Sequence, residues 1–337
     1  MLKSSAKQSL EKPAAGGGRL PSRRAAVLLG ALAAALLVVT HGREFSGAGP
    51  QDCPTADDPA RLLETGRAAQ VRTPAATPDS IKLVSYNMRW RGGEELREIA
   101  RLLREDKSLG GAAVVGLQEA DRVRRRSGGV NAARLLAEEL GMYYAWAAPP
   151  CDGRKRDDRE AGEDETGVAI LSPYPLADVE RIVLPHAGPE CRRRAALGAT
   201  VRIGDAALRI FSVHAETRLP VERKVEQWRA VLDALEARRP APTAAVVLGD
   251  FNTIKTKDIS SARRLFTGAG FSTPFPDDVP TWRTFLFDLK LDWLWLRGLE
   301  AASFGIDKSV DLSDHWPLWA KIKVTSSKLQ VQSSPDE

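Results

Sequence analysis

Acidic, amide and imidazole side chains stand at the ends of several β-rich runs in this sequence. The positions are Asn87, Glu119, His214, Asp250, Asn252, Asp292, Asp314 and His315. Side chains at the ends of several strands can converge on one rim, and layered α/β folds commonly build their pockets there. Carboxylate and amide oxygens are hard ligands that suit Mg²⁺, Mn²⁺ or Ca²⁺, and histidines exchange protons near neutral pH. The set therefore predicts a site that binds a divalent cation and moves protons.

The elements that must position these residues alternate between apolar strand-like runs and amphipathic helices. We predict strands at 81–86, 112–117, 143–147, 166–171, 195–203, 206–213, 244–248, 291–296 and 316–324, and helices at 94–104, 130–140 and 221–237. In the first helix, Leu96, Ile99, Leu102 and Leu103 fall on one face. The pair Gly204-Asp205 is typical of a hairpin turn. Hairpins combined with helical crossovers indicate a mixed α/β body in one domain.

The same residues lie in short motifs whose order along the chain resembles the endonuclease/exonuclease/phosphatase superfamily. The motifs are Ser85–Asn87, Gln118–Glu119, Thr166–Ser172, Val213–His214, Gly249–Asn252, Leu291–Trp293 and Ser313–His315. Each motif is short, and their shared order and strand context carry the resemblance. It implies a four-layer α/β sandwich, in which two mixed β-sheets pack face to face with helices on both outer sides. It also implies a divalent-metal-dependent phosphoester hydrolase with its site at the sheet ends.

On the metal-binding side of the site, the resemblance implies Glu119 as the main ligand, with Asn87 and Asp314 as further ligands. Asn87 would also position a metal-bound water or a phosphate oxygen of the substrate. The implied cofactor is Mg²⁺, with Mn²⁺ and Ca²⁺ as alternatives, in one or two copies. As a Lewis acid, such an ion could stabilise the leaving oxygen.

On the catalytic side, the implied residues are His214, Asp250, Asn252, Asp292, Asp314 and His315. Asp250 and Asn252 would orient the attacking water and the developing pentavalent oxyanion. His315, held in one tautomer by Asp314, would contact the phosphate and exchange a proton. His214 would hydrogen-bond a phosphate oxygen or protonate the leaving group. The base is either Asp250 or His315, and the sequence does not choose between them.

Two departures from the family pattern indicate which subgroup of the family this chain resembles. Members that repair DNA typically have a tyrosine where this chain has His214, and an acidic or amide residue where it has Arg89. Both departures favour the side of the family that contains secreted deoxyribonucleases, sphingomyelinases and phosphatases.

Two groups of arginines could hold substrate phosphates, because guanidinium groups form forked hydrogen bonds with oxyanions. One group lies at 122–126 and the other at 192–194, and we assign Arg124 and Arg193 as substrate-binding residues. A solvated basic loop is an equal alternative for each group. Five tryptophans could form a stacking platform, but core packing is the favoured interpretation for them. They are Trp282, Trp293, Trp295, Trp316 and Trp319.

The net charge of +5 is confined to the N-terminus of the chain. Residues 1–24 hold six basic residues and one acidic residue, so the rest, with 43 of each kind, is neutral. A neutral body lacks the basic field that supplies non-specific affinity for nucleic acids. This disfavours a non-specific secreted nuclease, which stays an alternative.

An apolar run of 15 residues, Ala25–Val39, follows the basic N-terminus and is typical of an export signal. A comfortable membrane span needs about 20 residues, so a cleaved signal peptide and a membrane anchor both stay open. Either one would place the protein outside the cytoplasm, as a secreted, periplasmic or membrane-anchored protein. We divide the chain into this leader at 1–40, a flexible tether at 41–80 that allows a short helix at 59–67, the catalytic domain at 81–324 and a disordered tail at 325–337.

The three cysteines, Cys53, Cys151 and Cys191, lack the spacing of a zinc site. In an oxidising compartment Cys151 and Cys191 could pair, and free thiols are an equal alternative.

The expected partner of the site is a phosphoester substrate, with nucleic acid, a phospholipid head group and a small phosphate ester all open. A monomer is expected, which contacts a membrane only if the leader is retained. The hypothesis from another class is a phosphate-ligand binding module that has lost turnover. The presence of both histidines and of the acidic positions disfavours that hypothesis.

Overall fold

The computed structural model describes residues 58–74, 78–150, 165–238, 242 and 244–323. The strands in them are β1 (Leu63–Arg67), β2 (Ser80–Asn87), β3 (Val114–Arg122), β4 (Tyr143–Ala147), β5 (Glu165–Ser172), β6 (Leu176–Val183), β7 (Ala195–Ile203), β8 (Ala206–His214), β9 (Ala245–Asp250), β10 (Trp282–Arg283), β11 (Asp288–Leu289), β12 (Asp292–Arg297), β13 (Ala301–Ile306) and β14 (Leu318–Lys323). The α-helices are α1 (Gly93–Glu105), α2 (Ala132–Leu140), α3 (Val221–Glu236) and α4 (Thr256–Gly268).

These strands form two large mixed sheets and one short hairpin. Sheet A has seven strands in the order β1-β4-β5-β3-β2-β14-β13, and sheet B has five in the order β12-β9-β8-β7-β6. The pairs β2-β3 and β8-β9 are parallel, whereas the other neighbours within the two sheets are antiparallel. Strands β10 and β11 form a separate antiparallel hairpin.

Three hydrophobic clusters define four layers. The first lies between the sheets and joins Leu83 of sheet A with Leu197 of sheet B. The second packs α1 and α2, through residues such as Leu96, on the outer face of sheet A. The third packs α3 and α4, through Trp228 and Phe266, on the outer face of sheet B. The four-layer α/β sandwich with two mixed sheets is therefore confirmed.

The predicted strands and helices are present, with ends that differ by a few residues. Strand β3 differs most, because it continues to Arg122. In α1, Leu96, Ile99 and Leu103 are buried, as their spacing predicts. Gly204, in the turn between β7 and β8, has a positive φ of 59°.

The prediction of a flexible tether at 41–80 is wrong for its C-terminal part. Residues Leu63–Arg67 form β1, an edge strand of sheet A, instead of a helix or an open linker. Its backbone pairs with β4, from Leu63 opposite Ala147 to Arg67 opposite Tyr143. The sequence hid this strand because Leu-Glu-Thr-Gly-Arg has one large apolar residue and its side chains are only partly buried. The ordered domain therefore begins before residue 81.

Several other elements carried too weak a pattern for prediction. Strand β6 lies at the edge of sheet B and its side chains are mostly half-buried, so no alternation of apolar and polar residues marks it. Helix α4 is rich in Ser, Thr, Lys and Arg, and few of its side chains are buried. Strand β13 and the β10-β11 hairpin were also missed.

Core packing is confirmed for Trp293 and Trp295, which are fully buried and stack on each other with ring centroids 4.8 Å apart. Within the residues that the structure covers, no helix has the length and apolarity needed to cross a membrane. The apolar run at 25–39, the first part of the proposed tether and the tail at 325–337 lie outside those residues. Cys191 is disulfide-bonded, but Cys151 also lies outside them, so its pairing stays a prediction.

Candidate active site

Strand pairing brings the predicted site residues to one end of the two sheets. The parallel pair β8-β9 places His214 directly beside Asp250. The antiparallel pair β9-β12 places Asp292 on the other side of Asp250. Asn87, the last residue of β2 in sheet A, donates a hydrogen bond from Nδ2 to Oδ2 of Asp250 across 3.0 Å. The site is therefore built where the ends of sheets A and B meet.

Gly249 allows the strands of sheet B to approach closely just before Asp250. Its φ of 133° lies in a region that residues with a side chain rarely adopt. A Cβ atom at this position would lie 2.1 Å from the carbonyl oxygen of Val213. Only glycine fits here, and the position of the Asp250 carboxylate depends on it.

The Asp250 carboxylate lies at the centre of the buried cluster. Oδ1 accepts a hydrogen bond from the backbone amide of Asn252 at 2.9 Å, and Oδ2 accepts the bond from Asn87. The same Oδ2 lies 3.6 Å from Nε2 of His214 and 3.8 Å from Nε2 of His315. Both imidazole rings therefore face one carboxylate oxygen.

The surroundings of Asp250 favour its protonated form relative to an ordinary aspartate. Burial raises the pKa of its carboxyl group, and the charges of Asp292 and Glu119 raise it further, while His315 acts in the opposite direction. A carboxylate with a raised pKa is a better proton acceptor near neutral pH than an exposed one.

Glu119 sits at an irregularity in β3 that turns its side chain into the site. The register of β3 against β5 shifts between Gln118 and Ala120, and Glu119 has a left-handed φ of 56°. Its Oε1 lies 3.5 Å from Nδ2 of Asn87 and 3.9 Å from Nε2 of His214. Its Oε2 is buried and has no hydrogen-bond partner. A buried carboxylate oxygen without a partner is costly, which fits a position that a cation would satisfy.

His315 is oriented by Asp292. Its Nδ1 donates a hydrogen bond to Oδ2 of Asp292 at 2.8 Å, and the hydroxyl of Thr281 donates to the same oxygen at 2.7 Å. Burial alone lowers the pKa of His315, but the charge and hydrogen bond of Asp292 and the charge of Asp250 outweigh it, so the pKa is raised. Without a bound cation, these neighbours favour the charged imidazolium form of His315.

The predicted pairing of Asp314 with His315 is wrong. Asp314 forms an ion pair with Arg89, at 3.2 Å between Oδ2 and Nη1, and receives a hydrogen bond from Ser313. Asp314 lies in a bend and His315 in an isolated bridge with Trp282, and the two side chains have different partners. Asp314 stays a candidate metal ligand, because its side chain is partly exposed beside the site.

His214 has a very different environment from His315. Its Nδ1 faces Nη1 of Arg194 at 3.4 Å. Burial lowers the pKa of His214 well below its ordinary value, and the charges of Arg194, His315 and Arg192 lower it further. The site therefore combines one neutral and one charged histidine.

A family model described as the Endonuclease/Exonuclease/phosphatase family matches residues 84–315. The chain belongs to this family. A comparison with curated proteins finds no significant match. The matched segment contains all the site residues described in this subsection.

Solved structures of this family share the fold. An endonuclease/exonuclease/phosphatase from Beutenbergia cavernae DSM 12333 is 19% identical with a TM-score of 0.59, and the match covers 73% of this chain and 72% of that one. ANGEL2, a 2',3'-cyclic phosphatase, is 14% identical with a TM-score of 0.53, covering 72% and 95%. A humanized D. rerio TDP2 is 18% identical with a TM-score of 0.52, covering 73% and 100%.

The donor set that this family fold assembles fits a divalent cation. Asp250, Asp292 and the unprotonated form of His315 each offer a ligand atom, and these atoms lie within 4.8 Å of one another in a buried position. The unpartnered Oε2 of Glu119 and the Asn87 amide lie on the sheet A side of the same cluster. Clustered carboxylates repel one another unless a cation or a proton neutralises them. The predicted ligands Glu119 and Asn87 are therefore brought together.

The two predicted phosphate-binding arginines have different surroundings. Arg124 is half-buried and donates from Nη1 to the hydroxyl of Thr166 at 3.2 Å, in the loop that follows β3. Arg193 has a buried Nε without a hydrogen-bond partner. Within its run it is Arg194, and not Arg193, that reaches His214. Substrate binding by Arg124 and Arg193 stays a prediction.

Asn252 has mainly a backbone-bracing role in this structure. It adopts a left-handed φ of 53°, and its Nδ2 donates to the carbonyl of Ala215 at 2.9 Å. Its own carbonyl accepts a hydrogen bond from the buried Nζ of Lys224 at 2.7 Å. The Lys224 amine also pairs with Asp258 at 2.9 Å. These bonds hold the turn that carries Asp250.

Sequence reasoning missed several residues that support the site. Thr281, Glu216 and Lys224 are the main ones. The one available signal was Glu216, an acidic residue two positions after His214 at the end of a buried strand, since a buried carboxylate requires cationic partners. The arginines at 192–194 were recognised as a basic group, but their pairing with Glu216 depends on the register of β7 against β8.

Several exposed apolar side chains lie on chain segments next to site residues. Among the described residues the exposed large hydrophobics are Trp90, Val123, Phe285, Leu286 and Phe304. Trp90 follows Asn87, and its amide donates to the carbonyl of Glu119 at 3.2 Å. Phe285 and Leu286 lie in the β10-β11 hairpin, whose Trp282 pairs with His315. Trp90, Phe285 and Leu286 therefore lie on segments that contact the site.

Two of these rim residues have strained backbones. Trp90 has a φ of 58° and the β-branched Val123 a φ of 61°, both in the left-handed region. Such conformations cost about 1 kcal/mol or more and tend to persist where function requires them. The surrounding structure of the loops after β2 and β3 must therefore stabilise these two conformations.

Proposed function

We propose that this protein is a divalent-metal-dependent phosphoester hydrolase. The observation that supports it most is the Asp250 carboxylate, which is buried between two imidazole rings of different charge and beside the unpartnered Oε2 of Glu119. This arrangement supplies a base, an acid and a position for a cation within one cluster. A binding module would have no need for a histidine and an aspartate whose pKa values are shifted in this way.

Asp250 is the proposed base. Its pKa is raised, and it faces the space in which a water molecule can attack phosphorus. In the reaction, water forms the new P–O bond and releases its proton to Asp250, while the bond to the leaving oxygen breaks. His315 cannot be the base in its charged form, and we assign it to donate a proton to the leaving oxygen.

Glu119 would hold the cation, with Asn87 beside it and with Asp292 or Asp314 as further ligands. When bound, the cation would supply Lewis-acid stabilisation of negative charge on the phosphoryl group. Mg²⁺ is the proposed ion, and Mn²⁺ and Ca²⁺ accept similar ligands. Asn87 then orients the substrate through its amide, which already bonds to the carboxylates of Glu119 and Asp250.

The substrate that we propose carries an apolar or aromatic group next to the phosphoester. Trp90 and the hairpin residues Phe285 and Leu286 provide exposed apolar surface at the rim. Arg89 and Arg126 lie against the Trp90 ring, at 5.6 and 4.1 Å from its centroid, and add positive charge there. A nucleotide, a phospholipid head group with its attached chains, or an aryl phosphate would fit this combination.

We also propose that the protein acts outside the cytoplasm. The support is the basic N-terminus and the apolar run Ala25–Val39. Fusing residues 1–60 to a reporter that is active only outside the cytoplasm tests it. Reporter activity that vanishes when charged residues replace the middle of the apolar run is expected, and an inactive reporter would refute export.

The hydrolase proposal is tested with the full-length protein, because strand β1 shows that a truncation at residue 81 would remove part of sheet A. Hydrolysis of plasmid DNA, sphingomyelin, inositol phosphates and paired aryl and methyl phosphodiesters is measured with Mg²⁺ and with a chelator. Turnover that requires Mg²⁺ and favours the aryl ester is expected.

The matched variants are E119Q and E300Q, which make the same change at the site and at an exposed glutamate after β12. We expect E119Q to lose at least about 100-fold in kcat/KM and E300Q to retain wild-type turnover. Equal activity of E119Q and wild type would refute the proposed site. Activity that persists in the chelator would refute the proposed metal requirement.

A further inference from the structure

The two histidines of the site have opposite partners at Nδ1. In His315 this atom faces the Asp292 carboxylate at 2.8 Å, which can only accept a hydrogen bond. In His214 it faces the Arg194 guanidinium at 3.4 Å, which has five N–H donors and no acceptor. Nδ1 of His214 must therefore be the acceptor and carry no proton. The only ring proton of His214 is then on Nε2.

Arg194 is held firmly in this position. Its Nε donates to Oε2 of Glu216 at 3.2 Å, and Glu216 is fully buried. The same carboxylate pairs with Arg192 and accepts from the amide of Arg218 at 3.0 Å, while the amide of Glu216 donates to Gln227 at 2.8 Å. These bonds fix the Glu216 carboxylate and, through it, the guanidinium that faces His214.

Nε2 of His214 points towards the centre of the site. The nearest acceptors are Oδ2 of Asp250 at 3.6 Å and Oε1 of Glu119 at 3.9 Å. Both distances are longer than a normal N–H···O hydrogen bond, which spans about 2.7–3.2 Å. The Nε2–H of His214 thus points into the space between these two carboxylates and forms a normal hydrogen bond with neither of them.

We infer that Arg194 is a positioning residue that donates to Nδ1 of His214 and so keeps the ring proton on Nε2, where it can be donated in a hydrogen bond to a phosphoryl oxygen. This rests on the proposed function. This role separates Arg194 from its neighbour Arg192, which binds Glu216 but is not hydrogen-bonded to His214.

The first test reads the tautomer directly. The full-length protein is labelled with ¹⁵N in its histidine rings, and long-range ¹H–¹⁵N spectra are recorded near neutral pH, with His214 assigned from the spectrum of H214Q. We expect a protonated Nε2 and an unprotonated, hydrogen-bonded Nδ1. A proton on Nδ1, or protons on both nitrogens, would overturn the inference irrespective of any activity.

The second test uses three arginine variants. R194M removes the donor to Nδ1, R194K keeps a cationic donor, and R192M removes a partner of Glu216 while leaving the His214 contact. We expect R194M to give mixed tautomers and at least a tenfold loss in kcat with little change in KM, because a transition-state contact is lost. R194K should partly restore the single tautomer and the kcat, and R192M should keep the wild-type tautomer.

The variants also separate a positioning role from simple structural support. Melting temperatures of all three are measured first, since each leaves a buried group with fewer partners. If R192M and R194M are equally destabilised but only R194M changes the tautomer, the inference stands, and a wild-type tautomer in R194M would overturn it. If R194M does not fold, R194K and the wild-type spectrum decide. Failure of the proposed function would appear separately, as a wild-type protein with the expected tautomer and no phosphoester turnover.

Discussion

Nδ1 of His315 lies 2.8 Å from Oδ2 of Asp292, although Asp314 is the acidic residue next to it in the sequence. The contact arises because β12 begins with Asp292 and because His315 pairs with Trp282 at the base of the β10-β11 hairpin. The Thr281 hydroxyl, which precedes that hairpin, holds the same carboxylate oxygen. Asp292 therefore orients the His315 ring and supplies most of the charge that keeps it protonated.

The first prediction compares D292N with D314N. The amide in D292N keeps the shape of the side chain but removes the charge that stabilises the imidazolium, so kcat should fall by about 100-fold or more. D314N should lose much less, because Asp314 pairs with Arg89 at the partly exposed rim. Steady-state kcat and KM with the same phosphodiester measure both. A larger loss in D314N than in D292N would contradict the assignment of Asp292 as the residue that orients His315.

The predicted site residues lie close together in the structure because they stand at strand ends. Asn87, His214 and Asp250 each end a strand, and parallel pairing makes the ends of β8 and β9 coincide. Partners within the site were less predictable, as Asp292 and Asp314 show. Which carboxylate meets His315 depends on side-chain direction and on the hairpin at residue 282, and neither has a signal in the local sequence.

The fold was predictable where apolar spacing is strong. Buried strands such as β4 and β9 and amphipathic helices such as α1 were visible in the sequence. The misses, β1 and β6 among them, lie at sheet edges, where backbone hydrogen bonds hold the strand and side chains are only half-buried. Edge strands are stabilised by their neighbours, so their own residues carry little information.

The second prediction concerns cation binding by Glu119. Mg²⁺ should raise the melting temperature of the wild-type protein, because an ion that binds only the folded state stabilises it by mass action. E119Q should lose most of this shift, while in the absence of metal it should be no less stable than wild type, since it removes one of several clustered carboxylates. Thermal unfolding with and without Mg²⁺ measures both effects, with E300Q as the control. The same Mg²⁺ shift in E119Q would mean that the ion binds elsewhere.

The third prediction concerns Gly249. An added Cβ would lie 2.1 Å from the Val213 carbonyl and would force the backbone from a φ of 133°. G249A should therefore destabilise the protein by about 2 kcal/mol or more and reduce activity further by displacing Asp250. G268A is the control, because its added Cβ has no atom within 4 Å. Denaturant unfolding is the measurement, and equal stability of the two variants would refute the packing argument.

The fourth prediction concerns Lys290, whose Nζ is buried without a hydrogen-bond partner over the rings of Trp293 and Phe275. Burial lowers its pKa from 10.5 to about 8, despite the opposing charges of Asp292 and Asp277. A shift of this size corresponds to about 3 kcal/mol against the folded state when the amine is charged. Replacing Lys290 with methionine should therefore stabilise the protein near neutral pH.

The stability difference between K290M and the wild-type protein should depend on pH. Between pH 8 and 10.5 the unfolded chain keeps the Lys290 proton and the folded chain loses it, so wild-type stability rises with pH across that window. The advantage of K290M should be largest, at up to about 3 kcal/mol, below pH 8 and should disappear above pH 10.5. Denaturant unfolding of both proteins across this range measures it. K308M, which removes an exposed lysine near Trp316, should show no such trend. A K290M protein that is less stable than wild type at neutral pH would mean that the Lys290 amine has a stabilising partner.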